Sequence, residues 1–363
     1  MATNRRFLVH VIETNAVTGT VVDVAKDGTF KAGPTLAVWD PSSYLDHRAG
    51  LRLIEELSRR TKAVCRNLSP PIDAIALSVP GTVEGNTTVS GSSRLGIHEP
   101  AEFTKELRAA GLPPAFVFHD VECLAIGEAR HGKHGNSPYL TPHSENFAYV
   151  FIDEGVGSCL FIDGKVHRGA GVAGHLGRMV VQPNGTYNSS FSCRGPLEVF
   201  ASRPWISKNI VTEYLAEKDK RNPAKTEDDI FRAAVAAACG SDWSGLTTSH
   251  IADGIRTQDP IVTSVLEDAA QYLSIAINAI ITIVNPPLII LGGCMIEALQ
   301  EFAMSVISIS RRHAWAGSWN ETTIEIGSMG RLAQVLGAAD FLRGLVEHQH
   351  PDVSNAHHSS VHL

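Results

Sequence analysis

Apolar runs alternate with polar, glycine- and proline-containing segments along the first third of the chain. Two of these runs, RFLVHVIE (6–13) and GTVVDVAKDGTF (19–30), predict strands joined by a short turn. Apolar residues at helical spacing over 44–68 predict a long helix. The segment 72–81 predicts a buried strand that ends in a proline–glycine pair, and 99–111 predicts a helix with a glycine stop.

A strand is then followed at once by a helix, and the second half of the chain repeats the plan. The segment 115–120, AFVFHD, predicts a buried strand, and 121–132 predicts a helix. The second half predicts a strand–turn–strand unit, a long helix, another strand and a closing helix over 146–166, 260–284, 286–293 and 331–344. Two halves that each open with a hairpin and close with helices predict a duplicated α/β fold around a central cleft. The polar segment 131–146 predicts a loop between them.

Length and composition narrow the class of protein. A chain of 363 residues can form two domains, and 44% apolar with 19% charged residues is an ordinary globular mixture. The net charge of −7 offers no basic surface for nucleic acid or for an anionic membrane. No apolar run reaches the roughly 18 residues that span a bilayer. We therefore expect neither nucleic acid nor membrane as a partner.

The cysteines and the terminal segments add little chemistry. Six scattered cysteines without a C-x-x-C pair predict reduced thiols and a cytoplasmic protein. The N-terminus lacks an apolar signal core with a cleavage site. The His-rich tail, 351–363, predicts a flexible segment, with metal binding as the alternative.

Asp120 is the first candidate for chemistry. It stands where a predicted strand ends and a helix begins. An aspartate there serves well as a helix N-cap. A carboxylate at the same place can also act as a general base that deprotonates an alcohol. The spacing alone leaves both interpretations open.

Several motifs, taken in order, resemble one family. They are LSVPGTVEGNTTVSGSSRLG (77–96), FVFHDVECLAIGEARHG (116–132), IDEGVGSCLFIDGKVHRGAGVAGHLGRM (152–179), SCRGPLEVFAS (192–202), PPLIILGG (286–293) and VLGAADFL (335–342). Their order and spacing resemble the ROK group of sugar kinases and repressors, which have the actin-like ATPase (ribonuclease H-like) fold. The resemblance covers nearly the whole chain.

The resemblance implies a division into domains and an activity. An N-terminal α/β domain would cover 1–120 and would be completed by a C-terminal helix at about 335–350. A larger α/β domain would cover 121–334, before the tail at 351–363. The implied activity is an ATP-dependent carbohydrate kinase with Mg²⁺. Asp120 would be the base for the sugar hydroxyl, and His119 would stand beside it where the family has asparagine.

The substrate-binding residues implied by the resemblance are Arg94, His175, Arg178 and Glu198. Glu198 is kept, whereas His175 replaces glutamate, Arg178 replaces histidine and Arg94 replaces asparagine. An arginine only donates hydrogen bonds, so these changes suit a substrate with negative charge. The alternative is that Arg94 and Arg178 pair with acids such as Glu198.

The family's zinc segment is also altered. Of its three cysteines only Cys193 remains, and Arg178 occupies the position of the histidine ligand. One thiolate cannot form a tetrahedral structural site. Zinc is therefore not expected, and no other metal site is predicted.

The nucleotide-binding positions are partly kept. The resemblance assigns Thr14, Gly155, Gly157, Gly292 and Gly293 to the cofactor, with Gly337 also on the adenosine side. The family's opening Asp-x-Gly-Gly-Thr turn reads here from His10 to Thr14 and has lost both glycines.

Acidic residues have entered both phosphate turns. Glu13 stands in the first turn, and Asp153 with Glu154 in the second. Carboxylates near a triphosphate lower its affinity unless Mg²⁺ bridges them. The sequence therefore predicts a diverged ATP site.

Two functions follow as alternatives. The first is a kinase of a sugar or sugar-like substrate, such as an amino sugar, a sugar acid or a cyclitol rather than plain glucose. The second is a non-kinase descendant that has lost productive ATP binding. It would bind a sugar derivative, or use His119 and Asp120 for other acid–base chemistry on a sugar phosphate or an acidic sugar. The family's repressors carry an N-terminal helix-turn-helix, whereas this chain enters its first strand by Phe7, so DNA binding is not expected. The resemblance also implies a homodimer.

Overall fold

The computed structural model describes residues 5–42, 49–136, 140–141, 144–218, 235, 237 and 246–349. By internal contacts the chain forms two compact units, Met1–His131 with Arg331–Leu363, and Gly132–Gly330. The tail at 351–363 lies outside the described residues, as does part of the predicted loop 131–146.

The secondary structure alternates between strands and helices. The strands are β1 (Arg5–Ile12), β2 (Val17–Val24), β3 (Phe30–Trp39), β4 (Ala74–Val79), β5 (Thr82–Glu84), β6 (Thr88–Gly91), β7 (Ala115–His119), β8 (Leu140–Thr141), β9 (Ser144–Glu145), β10 (Phe147–Ile152), β11 (Val156–Ile162), β12 (Lys165–Val166), β13 (Tyr187–Asn188), β14 (Cys193–Arg194), β15 (Leu288–Gly292) and β16 (Thr323–Ile326). The helices are α1 (Ala49–Arg66), α2 (Phe103–Ala109), α3 (Asp120–Ile126), α4 (Glu198–Ala201), α5 (Arg203–Lys218), α6 (Thr248–Arg256), α7 (Pro260–Ile283), α8 (Cys294–Ala298), α9 (Gln300–His313), α10 (Ala316–Trp319) and α11 (Arg331–Gln349).

Each unit contains a five-stranded sheet with the same plan. The order is β3-β2-β1-β4-β7 in the first unit and β12-β11-β10-β15-β16 in the second. In each sheet the three strands that come first in sequence pair antiparallel. The two later strands of the sheet then pair in parallel beside the first of them. The duplicated α/β topology predicted from the sequence is confirmed.

Strand β1 is buried on both faces of the first sheet. Its alternate residues Phe7 and Val9 are buried on one face, and Leu8 and Ile12 are buried on the other. Such a strand reads as a continuous apolar run, which is typical of a sheet between two helical layers. His10 shares the face of Leu8 and Ile12 and is buried with them.

The sequence pattern missed the edge strand β3. This strand pairs with β2 through an irregular register and contains Gly33 and Pro34, which argue against a strand in the sequence. Proline lacks an N–H and is tolerated on an edge strand, where one side of the backbone needs no partner. The predicted helix over 121–132 also differs, because α3 continues as a π-helical segment over Gly127–His131.

The C-terminal helix α11 belongs to the first unit, where it packs against α3. A Cβ on Gly337 would lie 1.9 Å from the carbonyl oxygen of Cys123, so the two backbones touch at this glycine. His131 Nε2 lies 3.1 Å from Asp340 Oδ2, and the rings of Phe118 and Phe341 stack at 5.6 Å. The structure thus gives Gly337 a packing role between two helices.

In the second unit, α7 matches the long helix predicted over 260–284. The Asp259 carboxylate caps it by accepting hydrogen bonds from the N–H groups of Ile261 and Val262, at 2.9 and 3.2 Å. Pro260 takes the first helical position, where its missing N–H costs nothing. Among the described helices, none combines the length and the apolar composition that a membrane crossing requires.

Candidate functional site

Asp120 lies at the carboxyl end of β7, the edge at which parallel strands of α/β proteins commonly present functional groups. It is the first residue of α3 and only 9% exposed. Its Oδ1 accepts a hydrogen bond of 2.8 Å from the N–H of Val121. The N-cap position belongs to His119, whose side chain makes no capping bond. Asp120 thus stands one residue after the N-cap while its carboxylate accepts a first-turn N–H, so its capping and catalytic interpretations both stay predictions.

Two basic side chains approach the Asp120 carboxylate. His119 Nε2 is 3.6 Å from Oδ1, and an Arg94 guanidinium nitrogen is 4.0 Å from Oδ2. Arg94 lies in a turn closed by reciprocal backbone hydrogen bonds of 2.9 Å between Ser92 and Ile97. The structure thus brings three predicted site residues together in the first unit. It also gives Arg94 an acidic neighbour, Asp120, as the sequence alternative allowed.

The turn between β1 and β2 carries Thr14, which is exposed, and Glu13. The N–H of Glu13 donates to the carbonyl of Ala16 at 2.8 Å, which closes the turn. The Glu13 carboxylate pairs with Arg331, the first residue of α11, at 2.5 Å. The acid in this turn is therefore paired with a cation of its own unit.

His10, for which the resemblance implies an aspartate, is 1% exposed. Its Nε2 lies 3.0 Å from the hydroxyl of Thr61 on α1. Burial lowers the pKa of His10 from 6.5 to about 4, so the imidazole is neutral near pH 7. A neutral, buried ring therefore lies where the resemblance implies a carboxylate.

We expect His10 to make the first unit sensitive to acid. The unfolded chain takes up this proton near pH 6.5 and the folded chain only near pH 4, so stability falls as the pH decreases between these values. The expected loss is about 3 kcal/mol. Urea unfolding at pH 7 and 4.5, read by pulsed hydrogen exchange at β1, measures it. His10→Gln should make the free energy of unfolding less dependent on pH. An equal change in this free energy between pH 7 and 4.5 for both proteins would contradict the role given to His10.

In the second unit, the turn between β10 and β11 holds Asp153, Glu154 and Gly155. Arg203, the first residue of α5, contacts both Asp153 and Glu154. Its Nε lies 3.7 Å from Asp153 Oδ1, its terminal nitrogen contacts Glu154, and its backbone N–H donates to the Asp153 carbonyl at 2.7 Å. Gly157 follows in β11, opposite Phe151.

Cys294 completes this network from the start of α8. Its thiol donates to Asp153 Oδ1 at 2.8 Å. Burial, with the adjacent Asp153 charge, raises the pKa of the thiol to about 12, so it remains a protonated donor. Asp153 is therefore held between a thiol and a guanidinium group.

Gly292 and Gly293 lie beside this turn, and close contacts within the chain account for both. A Cβ on Gly292 would lie 2.1 Å from the Tyr149 hydroxyl. Gly293 has φ +101°, and a Cβ there would lie 2.4 Å from the carbonyl of Ile152. Their assignment to a cofactor stays a prediction.

The segment GVAGHLGRMVV (171–181) forms a turn against β11. Its 3-10 helix runs over Leu176–Arg178 and is preceded by His175. A Cβ on Gly177 would lie 3.0 Å from Glu198 Oε2, so the Glu198 carboxylate lies directly beside this turn. The structure thus places Glu198 beside Gly177, in the turn that carries His175 and Arg178.

Arg178 is exposed, and its guanidinium group lies over the ring of Phe191 at 4.7 Å. Cys193 follows in β14 and is half-buried. Across the ranges that the structure describes, no three His, Cys, Asp or Glu side chains are grouped as metal ligands. Arginine at the histidine position cannot bind zinc, so the residues present here do not fit the family's structural zinc.

Arg203, Arg331 and Cys294 were missed by the sequence analysis. Each lies far along the chain from the acid it contacts, and none belongs to a motif that marks phosphate turns. The sequence held no signal for these pairs, because each joins residues that only the folded chain brings together.

The chain matches the family model described as the ROK family over residues 51–344. The chain belongs to the ROK family. The match spans more than half of the sequence and includes residues of both units.

Relatives of known activity are similar at low identity. The chain is 24% identical over 326 residues to a glucokinase from Halalkalibacterium halodurans, covering 88% of this chain and 91% of the relative. It is 28% identical over 162 residues to an N-acetylmannosamine kinase from Vibrio cholerae, covering 43% of this chain and 53% of the relative.

Solved structures share the fold. A ROK family glucokinase from Streptomyces griseus in complex with glucose and AMPPNP matches with a TM-score of 0.71 and 18% identity, over 94% of this chain and 100% of its own. A ROK family transcriptional regulator, a homologue of the E. coli MLC protein, matches with a TM-score of 0.69 and 22% identity, over 94% of this chain and 78% of its own. The actin-like fold predicted from the sequence is thereby confirmed.

Proposed function

We propose that this protein is a sugar kinase that transfers a phosphoryl group to a hydroxyl of a sugar or sugar-like substrate. The observation that carries the proposal is the buried Asp120 carboxylate at the carboxyl end of β7. Its Oδ1 accepts a backbone hydrogen bond, which fixes the carboxylate in one orientation. The glucokinase and N-acetylmannosamine kinase relatives support this class of reaction.

Asp120 acts as the general base. ATP with Mg²⁺ supplies the phosphoryl group when bound. The substrate hydroxyl would give its proton to the Asp120 carboxylate as its oxygen bonds to the γ-phosphorus, while the bond from that phosphorus to ADP breaks and ADP leaves with the electron pair. His119 and Arg94 lie 3.6 and 4.0 Å from this carboxylate, and their donor groups orient the substrate oxygens nearby.

The substrate carries hydrogen-bond acceptors or negative charge. Arg94 lies beside the base in the first unit. The family resemblance assigns Arg178, His175 and Glu198 of the second unit to the substrate as well. Guanidinium groups only donate hydrogen bonds, so they favour groups rich in acceptor oxygens, such as carboxylate and N-acyl groups. We therefore propose an amino sugar, a sugar acid or a cyclitol rather than plain glucose.

Arg178→Ala is expected to weaken substrate binding by roughly 1.5–3 kcal/mol, the range for a charge-assisted hydrogen bond. Calorimetric titration with the best substrate measures the change. Arg194→Ala is the matched control, because Arg194 also lies over an aromatic ring, that of Tyr187, on the adjacent hairpin. Equal losses in the two variants would mean that Arg178 supports the hairpin and does not contact the substrate.

A second candidate is a sugar-binding protein without phosphotransfer. The specific observation in its favour is that both phosphate turns contain a carboxylate already paired with an arginine, Glu13 with Arg331 and Glu154 with Arg203. His10 adds to this, because a neutral buried ring cannot support Mg²⁺ as a carboxylate does.

The test is a phosphotransfer assay with Mg²⁺ and ATP against a panel of sugars, amino sugars, sugar acids and cyclitols, with ³¹P NMR detection of the product. Thermal shift with the same panel reports binding, because a ligand of the native state raises the melting temperature. Product formation supports the kinase. Binding of a sugar derivative without any product supports the second candidate. By the family resemblance we propose a homodimer, which sedimentation equilibrium tests.

A further inference from the structure

The turn between β10 and β11 is closed by its own side chains. Arg203 is fixed at the start of α5 by the hydrogen bond from its N–H to the Asp153 carbonyl at 2.7 Å. Its guanidinium group lies 3.7 Å from Asp153 Oδ1 and contacts Glu154 Oε1. The cation that faces this turn is therefore already bound to carboxylates.

We propose that Glu154 is an internal competitor for a polyphosphate anion, and that Arg203 is the group for which they compete. This inference rests on the proposed function, in which the turn receives the phosphates of the nucleotide. An anion binds here when the Glu154 carboxylate leaves Arg203 and phosphate oxygens take its place. The turn is thus autoinhibited by one of its own residues.

The chemistry of the two ligands supports such an exchange. A guanidinium group offers a planar fork of N–H donors that matches a carboxylate and a phosphate equally well. A polyphosphate brings more negative charge to the same fork than a single carboxylate does. The exchange therefore replaces one charge-assisted contact by another and leaves no buried cation without a partner.

The exposed fractions of the two side chains favour Glu154 as the partner that leaves. The Glu154 side chain is 44% exposed and can turn into water, whereas the Arg203 side chain is 22% exposed and its backbone is hydrogen-bonded in place. Asp153 stays behind, because the Cys294 thiol also holds it at 2.8 Å. Glu154 is therefore the mobile carboxylate and Arg203 the fixed cation.

The first unit repeats the arrangement independently. Glu13, in the turn between β1 and β2, pairs with Arg331 at the start of α11 at 2.5 Å. As in the second unit, a carboxylate in a strand-to-strand turn binds the first residue of a helix. Each unit thus pairs the acid of its turn with an arginine from a distant part of the chain.

Inorganic tripolyphosphate, titrated by calorimetry into the full chain in buffer with EDTA, isolates the anion from adenosine, sugar and metal. Glu154→Gln should raise its affinity by about tenfold, which corresponds to ~1.4 kcal/mol. Asp253→Asn is the control, because it removes an acid from the exposed Asp253–Arg256 pair on α6 without touching the turn. This control should bind like the unaltered protein.

The double variant Glu154→Gln with Arg203→Gln should lose the gain, since the cation is then absent. Arg203→Lys, which keeps the charge, replaces Arg203→Gln if the latter does not fold, and it should lose most of the gain because the fork is gone. The proposal is overturned if Glu154→Gln binds tripolyphosphate no better, if Asp253→Asn gains equally, or if the gain survives without Arg203.

These outcomes are separable from the fate of the proposed kinase. If the protein transfers phosphate but Glu154→Gln does not change its affinity for tripolyphosphate, the kinase proposal is supported and the competitor proposal is overturned. If Glu154→Gln gains affinity for tripolyphosphate but no sugar is phosphorylated, the competitor proposal is supported and the second candidate function is favoured.

Discussion

Asp120→Asn is expected to lower phosphotransfer by about 10²-fold or more, because an amide cannot accept the hydroxyl proton. The fold should be kept, since the asparagine side-chain oxygen can still accept the 2.8 Å hydrogen bond from Val121. The measurement is the turnover number with the substrate identified by the panel. Substrate affinity should change much less than turnover, because the loss falls on the chemical step.

The matched control is Glu122→Gln, in the same first turn of α3. It removes a carboxylate from the same short helix without removing the proposed base, so activity should stay near that of the unaltered protein. If Asp120→Asn retains its activity, or if both variants lose activity together with their melting temperature, then Asp120 serves the structure and not the reaction.

Gly337→Ala is expected to destabilise the first unit by about 2–3 kcal/mol. The new methyl group would lie 1.9 Å from the Cys123 carbonyl oxygen, and backbone cannot turn aside as a flexible side chain can. Helix α11 must therefore move away from α3 and loosen its other contacts, including the Phe118–Phe341 stack. Urea unfolding read by hydrogen exchange at α3 measures the loss.

Gly344→Ala, in the same helix, is the control for intrinsic helix propensity. Nothing lies within 4 Å of a Cβ at Gly344, so the substitution should stabilise the helix by roughly 0.5–1 kcal/mol. Opposite signs for the two alanines are the expected result. The same sign for both would mean that α11 shifts freely over α3 and that the contact at Gly337 costs nothing.

The hydrophobic pattern was sufficient for the fold where an element has one strong period. Strand β1 and helix α7 follow their patterns closely, and the end of α7 lies within one residue of its prediction. The pattern failed at β3, because Gly33 and Pro34 interrupt it and only pairing with β2 makes this segment a strand. Tertiary pairing there overrides the local signal.

The candidate site divides in the same way. Asp120 could be found because a strand end and a helix start are both visible in the sequence. The pairs of Glu13 with Arg331 and of Glu154 with Arg203 could not, because each joins residues that only the folded chain brings together. The sequence therefore predicted uncompensated repulsion at the two turns, whereas the structure supplies a cation at each.

The discontinuous first unit has a consequence for biosynthesis. The ribosome completes the 132–330 unit before it has made Arg331–Gln349, although the other segment of the first unit was made at the start. Until the last helix emerges, the surface of α3 around Cys123 and the ring of Phe118 lack their covering layer. The second unit can thus fold first. The N-terminal segment of the first unit then remains a partly uncovered intermediate that is prone to chaperone binding or aggregation. The first unit therefore completes its fold only after α11 has been synthesised.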